Sequence, residues 1–397
     1  MGAYILLIFL LCLLIVVRYF QLRSTKEGFA SATATASALA NAQTRINKQL
    51  TDIRSTASAS TFFTQTYSMP DLPERQSFLV NMCPLTAYLG GYLGPPENVM
   101  NATYYVETAI KAGIRSFILP ISTYINESKV PPDWPYSGEP VIACRDTLGT
   151  IISINAISLT QFINALLEYR IVSGYGSEPI LLYIEDALSP AVKSKINYVS
   201  FMNKIASSLA LLDTYRLTSV GSYGSVIGGS KQAKLLTEIP ISAYNNKILI
   251  FSDFDIQQDS ALNLASYVNF SYSYSYATDT NPVRTIALED IAGSTINYVA
   301  NSRTNWYIAK SRTPLALPTT TVLVNAYSNG IQCIPIPFIS ASMADIKDIW
   351  NIWKGSSYKV KDDKSRYTQP EPIVPSVVST KLNASIQGKE PGKLVVY

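Results

Sequence analysis

Histidine is missing altogether from these 397 residues. That side chain titrates near neutrality and is the commonest general acid, general base and metal ligand. Its absence excludes Ser-His-Asp and Cys-His catalysis, His-ligated zinc, and phosphodiester cleavage by paired imidazoles. Charge is also scarce, at 15% of residues against 47% hydrophobic, a balance that argues against extensive disorder. The 32 basic and 28 acidic residues leave a net charge of +4 with no basic cluster, so no nucleic-acid partner is expected. Only four cysteines occur: Cys12 in an apolar N-terminal run, and Cys83, Cys144 and Cys333 in the body, with no CxxC pair. Neither a disulfide scaffold nor a zinc site follows from that set; buried free thiols do.

What is present begins with MGAYILLIFLLCLLIVVRYFQLR, residues 1–23, whose run from Ala3 to Val17 is uncharged and apolar. This approaches the ~20 residues of a spanning helix, and Arg18 can snorkel to the headgroups. No positive charge precedes the run, as a signal peptide would require, whereas Arg18, Arg23 and Lys26 follow it. The expectation is an uncleaved transmembrane anchor contacting the membrane through residues 3–20, with the body on the cytosolic side by the positive-inside rule. In residues 24–60, Leu39, Ile46, Leu50 and Ile53 fall at spacings of seven, four and three, one face of a helical stalk.

From residue 61 to about 365, short apolar runs alternate with longer amphipathic ones. Strands are expected at 77–82, 116–121, 140–144, 179–185, 247–251, 267–276, 321–326 and 332–338. Helices are expected at 104–112, 159–171, 198–212 and 343–353. Continuous rather than alternating hydrophobicity marks parallel strands covered on both faces. The fold class this implies is α/β, a TIM-type (β/α)8 barrel, whose chemistry would sit at the C-terminal strand ends.

Several segments, in order, resemble phosphatidylinositol-specific phospholipase C, the phosphodiesterase barrel with X and Y halves. GEPVIACRDTLGT (138–150) is similar to the family's GEPVIYHGHTLT, and CPLTAYLGGYLG (83–94) to its SSHNTYLTGDQ. GSEPILLYIEDALS (176–189) resembles its PVILSLEDH strand, KILIFSD (247–253) its next strand, and AYSNGIQCIPIPF (326–338) with GSSYKVK (355–361) the Y half. The resemblance places the family's two catalytic histidines at Leu85 and Asp146, and its calcium-strand carboxylates at Ile118 and Pro120. Glu185 alone remains as a ligand-type residue, with Asp186 beside it, and one carboxylate cannot replace the 6–8 oxygens calcium takes. No metal and no cofactor are therefore expected, Ca2+ included.

The function this implies is a membrane-anchored, phospholipase C-like pseudoenzyme acting as a structural or interaction module. One alternative is an active phosphoric diester hydrolase using Asp146 and Glu185 as a carboxylate pair. Another is a module that binds an anionic lipid headgroup through Arg145, Glu185 and Asp186. Cys83 and Cys144 would both lie at the barrel mouth, where a disulfide is geometrically conceivable but a cytosolic setting keeps thiols reduced. Residues 366–397 are polar and proline-punctuated, an extended tail suited to protein partners. The anchor–stalk–barrel layout also resembles membrane proteins of large DNA viruses, implying a place in a virion membrane.

Overall fold

The computed structural model describes Thr44 and residues 69–89, 100, 102–123, 138–144, 156–172, 176–256, 263–272, 281–292, 296–338, 343–354 and 356–371. The expected anchor (1–23), the stalk apart from Thr44, Arg145, Asp146 and the tail beyond residue 371 lie outside the described residues. Among the described residues no helix is long and apolar enough to cross a membrane.

Eight short strands supply the frame: β1 (Thr86–Tyr88), β2 (Ser116–Ser122), β3 (Ile180–Asp186), β4 (Ile248–Ser252), β5 (Phe270–Ser271), β6 (Val283–Ala287), β7 (Trp306–Lys310) and β8 (Pro335–Ile336). Parallel ladders join β8 to β1 and then β1 through β5 in chain order. A parallel ladder joins β6 to β7, and the bridge Ile308↔Cys333 continues the sheet to the chain entering β8. Between β5 and β6 the described residues form no ladder; there the Asn281 amide donates to the Ser271 carbonyl over 3.2 Å.

Side chains alternate across these strands and sort into two apolar clusters. Phe117, Leu119, Leu182, Ile184 and Ile250 face the helices. Ile118, Leu181, Tyr183, Leu249, Phe251, Phe270 and Trp306 face the other way and pack against one another. A strand buried on both faces has no polar side to show, which is why these segments read as unbroken apolar runs. The covering helices include α1 (Ala102–Lys111), α2 (Leu159–Leu166), α3 (Tyr198–Leu209), α4 (Gln232–Thr237), α5 (Tyr298–Asn301), α6 (Thr320–Ser328) and α7 (Met343–Trp353). Ser158 starts α2 with a capping box, its hydroxyl accepting from the Gln161 N–H while the Gln161 side chain accepts from Ser158 N–H.

Two expectations are corrected. Residues 321–326 form helix α6 rather than a strand: the Thr319 side chain accepts from the Val322 N–H, and Leu323, Ala326 and Tyr327 are buried at helical spacing. The β-branched residues Val322 and Val324 that suggested a strand are exposed. Residues 77–82 are not a frame strand either. They hold the 3-10 turn Leu79–Asn81 and lead into Met82–Pro84, which pairs antiparallel with Tyr358–Val360. The first frame strand therefore starts at Thr86, later than the apolar run implied, and two strands, β6 and β7, were not anticipated.

Candidate functional site

The C-terminal ends of β3, β4, β5 and β7 bring together Glu185, Asp253, Tyr272 and Lys310. Glu185 sits one residue before the end of β3, and its inward direction follows from alternation with Tyr183 and Leu181. Lys310 ends β7 by the same rule after Ile308 and Trp306. Its Nζ lies 3.0 Å from Asp253 Oδ2 and 3.3 Å from Glu185 Oε1. The Tyr272 hydroxyl donates to Glu185 Oε1 over 3.4 Å, and the Lys310 ammonium stands 5.4 Å from the centre of the Tyr272 ring. Asp253 is fixed from the other side, since its Oδ1 accepts the Asp186 backbone N–H at 2.6 Å.

Burial raises the Glu185 pKa above the usual carboxylate range, even though the Lys310 charge pulls it down. Burial works against the Lys310 charge too, but Glu185 and Asp253 outweigh it and hold the amine above the ordinary lysine value. Lys310 thus stays charged, held between the Glu185 and Asp253 carboxyl groups. Above the cluster opens a pocket of about 160 Å³, lined among others by Tyr88, Ile118, Glu185, Lys310, Ser311 and Pro335. Beneath it the inner face is solid: Tyr183 stacks on Phe251 at 4.4 Å and Phe251 on Phe270 at 4.2 Å. Trp306 Nε1–H donates to the Tyr183 hydroxyl at 3.1 Å.

The site residues read from sequence fare unequally. Glu185 lies in the cluster. Asp186 is turned away from it, paired with Lys193 at 2.5 Å and accepting from the Tyr198 hydroxyl at 3.4 Å; neighbours on a strand point to opposite faces. Leu85 is not at the mouth: it precedes β1, its N–H bonds to the Ser357 carbonyl, and it is buried on the helix-facing side. The strand begins later than the motif suggested and ends at Tyr88, which pairs in register with Ile118. Cys83 and Cys144 do not share the mouth. Cys83 belongs to Met82–Pro84 before β1, Cys144 follows the strand Val141–Ile142 that joins the far end of β2, and both are buried thiols outside any disulfide. Arg145 and Asp146 lie outside the described residues. Asp253, Tyr272 and Lys310 were missed. Asp253 was visible as the polar residue just after the KILIFS run, whereas Lys310 needed β7 to be recognised.

The residues present do not suit the calcium ion of the resembled family. Ile118 offers no oxygen, Pro120 pairs in register with Glu185 without a side-chain donor, and the Glu185 and Asp253 oxygens already hold an ammonium. Among the described residues no group of three or more His, Cys, Asp or Glu side chains is placed to hold a metal.

No protein-family model matches the chain, and no curated protein matches it. Solved structures do resemble it in fold. The PLC21 structure of L. pealei superposes with a TM-score of 0.49 at 12% identity, covering 75% of this chain and 39% of that one. A calcium-dependent phosphoinositol-specific phospholipase C from Pseudomonas sp. gives 0.45 at 9% identity, covering 75% and 99%. The phosphatidylinositol-specific phospholipase C of Streptomyces antibioticus gives 0.41 at 12% identity, covering 67% and 98%. The chain thus spans about two fifths of the L. pealei protein. Its α/β fold is similar to the barrels of these phospholipases.

Proposed function

We propose that this chain is a phospholipase C-like (β/α)8 barrel retired from catalysis, held to a membrane by residues 3–20 and serving as a structural or interaction module. The observation that carries this reading is the Lys310 ammonium clamped between Glu185 and Asp253. Cleavage of a phosphodiester needs a base, an acid for the leaving alkoxide, and positive charge on the phosphoryl oxygens. Among the described residues, the one carboxylate whose raised pKa would suit a base, the largely covered Glu185, is committed to Lys310 and Tyr272. The ammonium that could face a phosphate is already engaged by two carboxyl groups. Each missing role is worth roughly 10²–10⁴ in rate, so their joint loss leaves no useful turnover. The same pairing of Lys310 disfavours an anionic headgroup at this cluster.

In this reading the ring closes between β5 and β6 across Asn281, and protein partners engage the tail beyond residue 371. A position in a virion membrane fits the anchor–stalk–barrel order. The test is an assay of the full chain in mixed micelles against phosphatidylinositol, lysophospholipid and glycerophosphodiesters, with and without Ca2+. No turnover above the protein-free blank is expected. Turnover that disappears in Asp146→Asn or Glu185→Gln would overturn the reading in favour of the hydrolase.

A further inference from the structure

At the opposite end of the barrel lies a buried amine that the mouth chemistry does not involve. Lys361 follows Tyr358–Val360 and is 0% exposed. Its Nζ donates to the Ser302 carbonyl just beyond α5, and among the described residues no carboxylate pairs with it. Packing over it is tight: a Cβ on Gly330, at φ +80°, would fall 2.2 Å from Ser302 Oγ and 2.9 Å from Ser365 Cβ. The segment carrying Lys361, residues 356–371, is a strap across the N-terminal end of the sheet. Lys361 N–H donates to the Asn81 carbonyl at 3.0 Å. The Asn81 amide donates to the carbonyls of Gln76 and Tyr367, and Arg75 donates to the Gln369 carbonyl.

The charged and titratable groups around the amine favour its neutral form. Arg303, after α5, adds positive charge, whereas Cys83 would favour the charged amine if it were ionised. Cys83, on the strand paired with the strap, is itself buried and pushed up to about 12, so it supplies no thiolate. Tyr327, on α6, is raised by burial and stays a neutral phenol, donating to the Val360 carbonyl. Asp362, Asp363 and Lys364 are exposed, and Asp363 is engaged by Arg366 at 2.7 Å.

We propose that the strap formed by residues 356–371 is a pH-sensitive latch, closed on a neutral Lys361 amine and loosened when that amine takes up a proton. Burial, with Arg303 adding to it, lowers the Lys361 pKa to about 7 in the closed state. An opened strap returns the amine to water and an ordinary lysine value of about 10.4. The open state then binds more protons between these values, so the latch is firmest in alkali and weakens as pH falls. The two values imply that the open fraction rises roughly tenfold for each unit from pH 10 to 8 and levels off below about pH 6.

Hydrogen exchange on the full chain in detergent micelles, corrected for intrinsic chemical exchange, reads this directly. Protection of strap amides should fall roughly fiftyfold from pH 9 to 7, and Lys361→Met should abolish that dependence. Unchanged strap protection across this range, or the same fall in Lys361→Met, overturns the latch. Should the methionine variant fail to fold, nitrogen-15 lysine spectra of the native chain decide the matter. One amine must titrate near neutrality; titration of every lysine above pH 9 overturns the proposal.

Discussion

Trp306→Ala should lower stability by about 4–5 kcal/mol, near the top of the range for truncating a buried aromatic. The indole is fully buried on the inner face of β7 and lies 5.8 Å from the Phe251 ring. Truncation would open a cavity under the mouth and leave the buried Tyr183 hydroxyl without its donor, adding roughly 1 kcal/mol or more. Against a total stability of about 5–15 kcal/mol, that is a large fraction of what holds the fold together. Trp306→Phe keeps most of the packing and should cost well under half as much. Urea unfolding separates the two: the midpoint should fall steeply for alanine and modestly for phenylalanine, with the slope unchanged. A loss below 1 kcal/mol for alanine would mean that the inner face is not the packed core described above.

Glu178→Ala should cost about 3–5 kcal/mol, because it strands a buried guanidinium. Arg115 and Glu178 are 2% and 3% exposed and meet at 3.3 Å under the N-terminal end of β2. Arg115 Nη1 also donates to the carbonyls of Ile110 and Ile114 at 2.9 and 3.0 Å. The pair is set by its surroundings as well: Gly176 has φ +74°, and a Cβ there would lie 2.2 Å from Glu178 Oε2. Removing both charges at once with Arg115→Met and Glu178→Leu should recover most of the loss, since a buried ion pair and an apolar replacement are often nearly equivalent. A double variant no more stable than Glu178→Ala alone would contradict that account. Thermal unfolding at low and high salt is a useful check, because a pair this buried is screened little.

Much of the frame was legible because the apolar runs that specify it are continuous and bounded. The run at 116–121 became Ser116–Ser122, that at 179–185 became Ile180–Asp186, and that at 247–251 became Ile248–Ser252. The helix expected at 343–353 has those same bounds. The misreadings have separate physical causes. Thr321–Ala326 is β-branched yet capped as a helix by Thr319, so local capping prevailed over strand propensity. Residues 77–84 are as apolar as a strand because they plug the sheet's N-terminal end, with Phe78, Leu79, Val80 and Met82 all buried there.

The site was legible only in part, for a related reason. Glu185 could be found from the end of its own strand. The partners that decide its chemistry, Lys310 and Asp253, lie 125 and 68 residues further along the chain, and only sheet order brings them together. Motif matching placed Leu85 at the mouth, but residue number does not say where a strand begins. Pairing of Tyr88 with Ile118 does.

The claim that an internal ammonium fills the cation position at the mouth is tested most directly by calcium titration of the full chain. Calorimetry and thermal unfolding should show neither binding heat nor a change in Tm up to about 1 mM Ca2+, the weak end of protein calcium sites. A Ca2+-dependent rise in Tm that is lost in Glu185→Gln would contradict it.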